Sequence, residues 1–349
     1  MKLASRSLGA QREQSASQYQ GAATSRRFCA SDPAASNSAH VTESTQPSTE
    51  PALTIAVVIC SLNRAVILHE TVCSIQQQSL LPTQIIISTP GPEHVLPETM
   101  ALPGVQHVLS RLGSTAQRNR GLDAVAHGTD LVAFLDDDFE LSESYFNEMS
   151  RLFRAFPEVV IACGTLLYDG GRGKTPQISR ADARKMCEVA TSSFDNLAEP
   201  AYKPMDWAYG CNMFARLAAV AGIRFDETLP MYAWLEDSDY GFRCTIGRCG
   251  PVACLGAKGI HLGWRGGRTA GVRFGFSQIV NPIYLWRKAR VFPLRHIVIN
   301  YWLRCLLGNI LGILRRDQKW DRPGGLKGNL LGFMHLLRGN CDPTEIIRM

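Results

Sequence analysis

The chain lacks most of the short signatures that assign a chemistry at once. Its 349 residues contain no Cys-x-x-Cys pair, and Cys244, Cys249 and Cys254 stand at five-residue intervals that match no common zinc pattern. The eleven cysteines are odd in number and scattered, with Cys60, Cys73 and Cys163 inside apolar runs. They read as buried, reduced thiols of a cytosolic protein rather than as a disulfide framework. The segment YDGGRGKT is not a phosphate-binding P-loop, because Tyr168 stands where the first glycine belongs. No apolar h-region follows the first residues, which argues against a secretory signal. Nor is any long apolar run free of interruption: HIVINYWLRCLLGNILGILRR, 296–316, carries Arg304 near its middle together with Asn300 and Asn309. An arginine at a bilayer centre costs about 2.5–3.5 kcal/mol, so a spanning helix is not expected there.

Charge of one sign is also scarce over most of the chain. The net charge is +6, yet from Arg265 onward fifteen Lys or Arg face only Asp317, Asp321, Asp342 and Glu345, so the rest of the chain is slightly acidic. The basic part has neither interleaved aromatics nor a nucleic-acid-binding pattern, and no nucleic-acid partner is expected. Residues 1–52 are rich in Ser, Ala, Gln and Thr with little to bury, and read as a disordered leader.

Regular structure is expected from Thr54. TIAVVIC, QIIIS (84–88), VQHVL (105–109), LVAFL (131–135) and VVIACGT (159–165) read as strands. Between them lie helical patterns: about 66–78, STAQRNRGLDAVAHG capped by Ser114 or Thr115, and SESYFNEMSRLFRAF with Phe146, Met149, Phe153 and Phe156 inward. Strands alternating with helices predict an α/β fold, a mostly parallel sheet covered on both faces. Ligands of such sheets bind at the carboxyl ends of the strands.

Three aspartates, Asp136, Asp137 and Asp138, stand at such an end, directly after LVAFL. Neighbouring carboxylates raise one another's pKa, and three together exceed what a helix start needs. A hard divalent cation, Mg²⁺ or Mn²⁺, is the better explanation, since it takes oxygen ligands and bridges protein carboxylates to a diphosphate. A second acidic group, Glu236, Asp237 and Asp239, follows Trp234 and Leu235, and a half-buried carboxylate there could take a proton from an attacking hydroxyl. His261 could add an imidazole to the cation. Beyond it, Gly263, Gly266 and Gly267 suit a mobile flap bringing Arg265 or Arg268 onto a diphosphate.

IAVVICSLNRAVILHETVCSIQQQS, STAQRNRGLDAV, VAFLDDDF, YGCNMFAR, FDETLPMYAWLEDSDYGFR and GIHLGW occur in an order and spacing that resemble the family 2 glycosyltransferases, over about Thr54 to Trp264. The resemblance implies a GT-A, Rossmann-like fold in 53–270, a nucleotide-sugar donor and a divalent metal. It implies donor contacts from Ser61, Asn63, Arg64, Arg118, Asn119, Asp136, Gly210 and Asn212, with Tyr209 alongside. It places Asp138, Asp136 and His261 at the metal, and Asp237 as the general base with Glu236 as its neighbour. The family's acidic residue after the second strand is missing here, where the turn reads IIISTPGPE, so the base of the nucleotide stays open.

Residues 271–349 are expected to form a basic helical extension. Leu303, Leu307, Ile310 and Leu314 recur at helical spacing, with Arg315, Arg316, Lys319 and Arg322 beyond, and GGLKGNLLGFMHLLRGNCDP is a second such segment. These helices either pack on the catalytic domain or lie on an anionic membrane surface, or do both. Similar extensions end bacterial family 2 enzymes that build surface polysaccharide, which implies a glycan or lipid-linked acceptor and a cytoplasmic, peripheral location. Two other functions fit parts of the pattern: a nucleotide-sugar-forming nucleotidyltransferase, and an inactive sugar-binding scaffold at the membrane.

Overall fold

A computed structural model of the chain describes residues 53–171, 175–194, 199–264, 271–317 and 320–349. The expected leader, the flap residues Arg265 to Arg268 and Lys319 lie outside the described residues. Among the described residues nine strands form one sheet: β1 (Ile55–Cys60), β2 (Gln84–Thr89), β3 (Val105–Leu109), β4 (Leu131–Asp136), β5 (Phe139–Leu141), β6 (Ile161–Asp169), β7 (Tyr202–Pro204), β8 (Asn212–Arg216) and β9 (Val252–His261). Their order is β3-β2-β1-β4-β8-β6-β9-β5, with β7 pairing β9. The first four run parallel, β8 is antiparallel to β4 and β6, and β6 runs parallel to β9. The expected α/β sheet is present, with four further strands that the periodicity did not mark: β5, β7, β8 and β9.

Side chains alternate across this sheet, which is why both faces are covered. Ile55, Val57, Ile59, Leu131, Ala133 and Leu135 pack with α1 (Ala65–Ile75) and α3 (Tyr145–Ala155) through Leu68, Val72, Phe146, Met149 and Phe153. Val58, Val132 and Phe134 face the other way, onto Leu122 of α2 (Ser114–Asp123) and onto Tyr240 and Cys244 of α5 (Glu236–Thr245). Each fully buried side chain of this kind contributes about 1.5–3 kcal/mol. The helix α4 (Arg180–Phe194) packs its Ala183 and Cys187 against Ile260 and Leu262 at the far end of β9.

Several boundaries differ from the pattern for local reasons. α2 starts after Gly113 without a side-chain cap. The hydroxyls of Ser114 and Thr115 donate instead to the carbonyls of Tyr232 and Leu229, tying α2 to the loop before α5. β6 extends to Asp169, four residues past the expected end, because it keeps pairing with β9 through two register irregularities. Nine cysteines among the described residues are free, as expected, but Cys249 is disulfide-bonded.

The C-terminal part forms α6 (Gly271–Ala289), a continuous helix α7 (Leu294–Leu314) with a π-helical stretch at Ile297–Leu303, and α8 (Arg322–Leu337). α6 and α8 approach closely: a Cβ on Gly328 would collide with the Val272 carbonyl, and one on Gly275 with the Gly325 carbonyl. Asn329 donates to the Gly275 carbonyl at 2.8 Å across the same contact. These helices share a core with the loop preceding α5, where Leu229, Ala233 and Leu235 meet Leu285, Val291, Phe292 and Ile297. The basic residues Arg287 and Lys288 lie in the last turn of α6, and Lys288 reaches back to Asp226 at 2.6 Å and Asp239 at 3.1 Å.

Candidate active site

Four strand registers gather the acidic residues at one end of the sheet. Cys60 pairs with Asp136, so the loop Ser61 to Arg64 emerges beside the triple aspartate. The amide of Asp136 donates to the Cys211 carbonyl, which places Gly210 next to it. Phe139 and Asp169 both pair with His261, so strands β5, β6 and β9 converge on one imidazole. The three carboxylates of β4 and its turn then differ sharply in environment.

Asp137 is buried and serves the scaffold. It accepts the Ser61 hydroxyl at 2.6 Å and pairs with Arg64 at 3.0 Å, and its carbonyl accepts the Thr71 hydroxyl at 2.6 Å. Burial pushes its carboxyl up, against the opposing pull of Arg64. Asp138 is equally buried, but His261, Arg64 and the Trp264 amide outweigh the burial and hold it below the usual carboxylate range. The Trp264 N–H donates to it at 2.6 Å. Asp136 is the open member of the three, with its side chain 35% exposed.

Asp136, Asp138 and His261 each offer a ligand atom, all within 4.8 Å of one another. The His261 Nε2 lies 3.4 Å from Asp138 and 3.7 Å from Asp136, while its Nδ1 is 2.9 Å from Asp169. Two carboxylate oxygens and an imidazole nitrogen, with the other ring nitrogen held by a further carboxylate, suit a divalent cation such as Mn²⁺ or Mg²⁺. Asp169 in turn accepts the Tyr209 hydroxyl at 2.9 Å. Glycine is required beside this pair, since a Cβ on Gly171 would enter the His261 ring. Sequence reasoning missed Asp169 and Gly171. Their signal was present in YDGG, an acid at a strand end followed by two glycines, but it was weighed only as a phosphate loop.

The second acidic group meets the first through Arg118. This buried guanidinium pairs with Glu236, reaches Asp136 at 3.5 Å and donates to the Gly210 carbonyl at 3.1 Å. Burial pushes the Glu236 carboxyl up to about 8, with Arg118 opposing and Asp237 adding to the rise. Asp237 is held differently, by amides: it accepts from the Gly210 N–H at 2.8 Å and the Ser238 N–H at 2.6 Å. Burial raises its carboxyl above the ordinary value, against those hydrogen bonds and Arg118. Its position is set by Leu235, which adopts φ +76° immediately before α5, and by Trp234, whose carbonyl accepts from Asn281 at 2.9 Å.

The remaining expected donor contacts divide. Asn63 is exposed with φ +57°, at the mouth of the loop whose amide faces His94. Ser61 is buried and its hydroxyl is directed at Asp137. Asn119 is not brought to the cluster: its amide group bonds Phe225 and Glu227, fastening the segment after β8. Asn212 is buried, donating to the Gly164 carbonyl at 3.1 Å. Where an acid was missing after β2, Thr89 is buried and bonded to His107 at 2.7 Å.

Compared with known proteins, residues 56–219 match the family model described as glycosyl transferase family 2. No curated protein matches the chain.

Proposed function

We propose that the chain, which carries a family 2 glycosyl transferase domain over residues 56–219, is an inverting, metal-dependent glycosyltransferase. It moves a sugar from a nucleotide-sugar donor to a hydroxyl of a glycan or a lipid-linked acceptor, at the cytoplasmic side of surface-polysaccharide synthesis. The observation that carries this reading is the meeting of Asp136, Asp138 and His261, within 4.8 Å of one another, beside an Arg118 that links Asp136 to the Glu236–Asp237 pair.

Asp136, Asp138 and His261 would hold a divalent cation, Mn²⁺ or Mg²⁺, whose charge neutralises the departing nucleoside diphosphate. Arg64 and Arg118 add fixed positive charge on the same side of the cleft, the first tied to Asp137 and the second to Glu236. Asp237 is the base. It takes the proton of the acceptor hydroxyl as that oxygen bonds to the anomeric carbon, while the bond from that carbon to the diphosphate oxygen breaks on the opposite face. Glu236 suits the role less, because its carboxylate is already occupied by Arg118. Among the described residues Asp237 has no ion pair, and it is fixed in place by two backbone amides.

Incubation with a mixed panel of nucleotide sugars, with and without Mn²⁺, tests the reading. Metal-dependent hydrolysis of one donor to sugar and nucleoside diphosphate is the expected result, and it names the donor. Release of pyrophosphate from a nucleoside triphosphate and a sugar phosphate would overturn it in favour of nucleotidyl transfer. No turnover with any donor would favour a sugar-binding scaffold.

A further inference from the structure

The residues of α7 fall into two sets. Ile297 is buried in the core shared with the loop before α5, and Trp302 donates its indole N–H to the Ile279 carbonyl at 3.1 Å. Asn309 donates to Asn329 at 2.8 Å, and Gly312 lies against Arg322. One side of the helix is therefore committed to α6 and α8. Ile299, Leu303, Leu307, Ile310 and Leu314, at intervals of four, four, three and four residues, are exposed instead, Leu307 at 56% and Leu314 at 74%. The helix is long and apolar enough to cross a bilayer, yet its most apolar window is only 17% buried.

A stripe of this length exposed to water marks a surface made to be covered. Charge decides by what. Residues 294–316 contain Arg295, Arg304, Arg315 and Arg316 and no acid. A second copy laid on the same face would set these cations against one another, whereas anionic headgroups complement them. Crossing the bilayer would require pulling Ile297, Trp302 and Asn309 off the protein and placing Arg304 in the hydrocarbon; lying in the interface requires neither.

We propose that α7 lies in the plane of an anionic lipid bilayer, with Leu303, Leu307 and Leu314 at the acyl boundary and Arg304, Arg315 and Arg316 among the headgroup phosphates. The consequence for catalysis rests on the transferase reading above. Tyr301 of α7 packs edge-on against Trp234 with ring centroids 5.2 Å apart, and Trp234 stands two residues before Glu236 and three before Asp237. Burial, with the charge of Asp237 adding, pushes the Tyr301 phenol up, so the base is within electrostatic reach of the helix. A bilayer bound along α7 thus brings the Asp237 cleft to the interface, where a hydroxyl carried on a lipid is held.

Co-sedimentation of the full chain with vesicles tests the surface without donor or acceptor, so its outcome is independent of the transferase reading. Vesicles of phosphatidylcholine with phosphatidylglycerol should retain the protein, vesicles of phosphatidylcholine alone should retain it weakly, and salt should release it. Replacing Leu303 and Leu307 together by Glu should lower binding at least about tenfold. Replacing Arg315 and Arg316 together by Ala should lower it about twenty-five-fold at low salt, each arginine supplying about fivefold. Both variants should keep the wild-type circular dichroism spectrum and a cooperative thermal unfolding transition, which shows that they fold. Equal binding by the Leu303→Glu/Leu307→Glu variant would overturn the proposal. So would a wild-type dimer that the same variant converts to monomer without any binding to vesicles.

Discussion

The Asp169 carboxylate stands 2.9 Å from the Nδ1 of His261. Through its other oxygen it accepts the Tyr209 hydroxyl, and the next residue, Gly210, donates its amide to Asp237. The candidate base and the candidate metal ligands are thus joined by one short run of hydrogen bonds through the segment 209–210. The predictions below test the links of this run and the docking of the C-terminal helices.

Replacing Asp169 by Ala frees the His261 ring to rotate and removes the partner that favours a lone pair on Nε2. Mn²⁺ affinity should fall about 10–100-fold, as for other carboxylates that orient a ligating histidine. Calorimetric titration of the purified chain with Mn²⁺ checks this. Tyr209→Phe should give a smaller loss of the same kind, since Asp169 keeps its contact with His261. Unchanged affinity in Asp169→Ala would show that Asp169 does not orient a ligating His261.

Asp237→Asn should lower transfer by at least about a hundredfold while leaving Mn²⁺ and donor binding near wild type. The pH dependence has a definite sign. A base acts only when deprotonated, and burial raises the Asp237 carboxyl, so transfer should fall on the acid side at a pH above the range of a free carboxylate, about 4. A rate profile flat down to pH 4 would point away from Asp237.

Gly210→Ala tests the close approach. An added Cβ would stand 2.9 Å from an Arg118 nitrogen and 3.1 Å from the Asp237 Cβ. Arg118 is buried and ion-paired, so it cannot swing aside without leaving Glu236. A displacement of about 1 Å at either group should lower kcat about a hundredfold, measured under saturating donor.

Lys288→Met should destabilise the chain by about 2–3 kcal/mol, because it strips the cation from Asp226 and the fully buried Asp239. Arg243 still pairs with Asp239 at 2.8 Å, which limits the loss. Burial works to raise the Asp226 carboxyl, but Lys288 and the Tyr284 hydroxyl outweigh it and hold it at about 2. A depressed carboxylate stabilises the fold above its unfolded value and loses that contribution as pH falls toward the folded one. Between about pH 4 and pH 2 the wild-type chain should therefore lose about 2 kcal/mol that Asp226→Asn does not lose, read by urea unfolding at each pH.

Much of the fold was legible because it rests on local alternation. A run such as TIAVVIC can bury both faces only in a sheet covered on both sides, and β1 to β4 follow that rule within a residue or two. β5, β7, β8 and β9 were not legible: β5 and β7 have three residues each, Gly256, Lys258 and Gly259 break the apolar run of β9, and all four pair with strands distant in sequence. Asn119 shows a different limit. It neighbours Arg118, but on a helix adjacent residues point apart, so one reaches the cluster and the other fastens the 225–227 segment.

By itself the sequence determined that three carboxylates would end a buried strand, that a second acidic group would follow Trp234 and Leu235, and that the C-terminal part would be basic and helical. Local composition and periodicity are enough for that. Only the tertiary structure decided how the three aspartates divide. Asp137 is drawn inward by Ser61 and Arg64, Asp138 is held between His261 and the Trp264 amide, and Asp136 is left open beside Arg118. It also decided that Asp169 belongs with His261, and which leucines of α7 meet the protein and which meet its surroundings. The physical reason is the same in each case. These partners are brought together by strand register and helix packing across tens to hundreds of residues, where local sequence carries no record of the pairing.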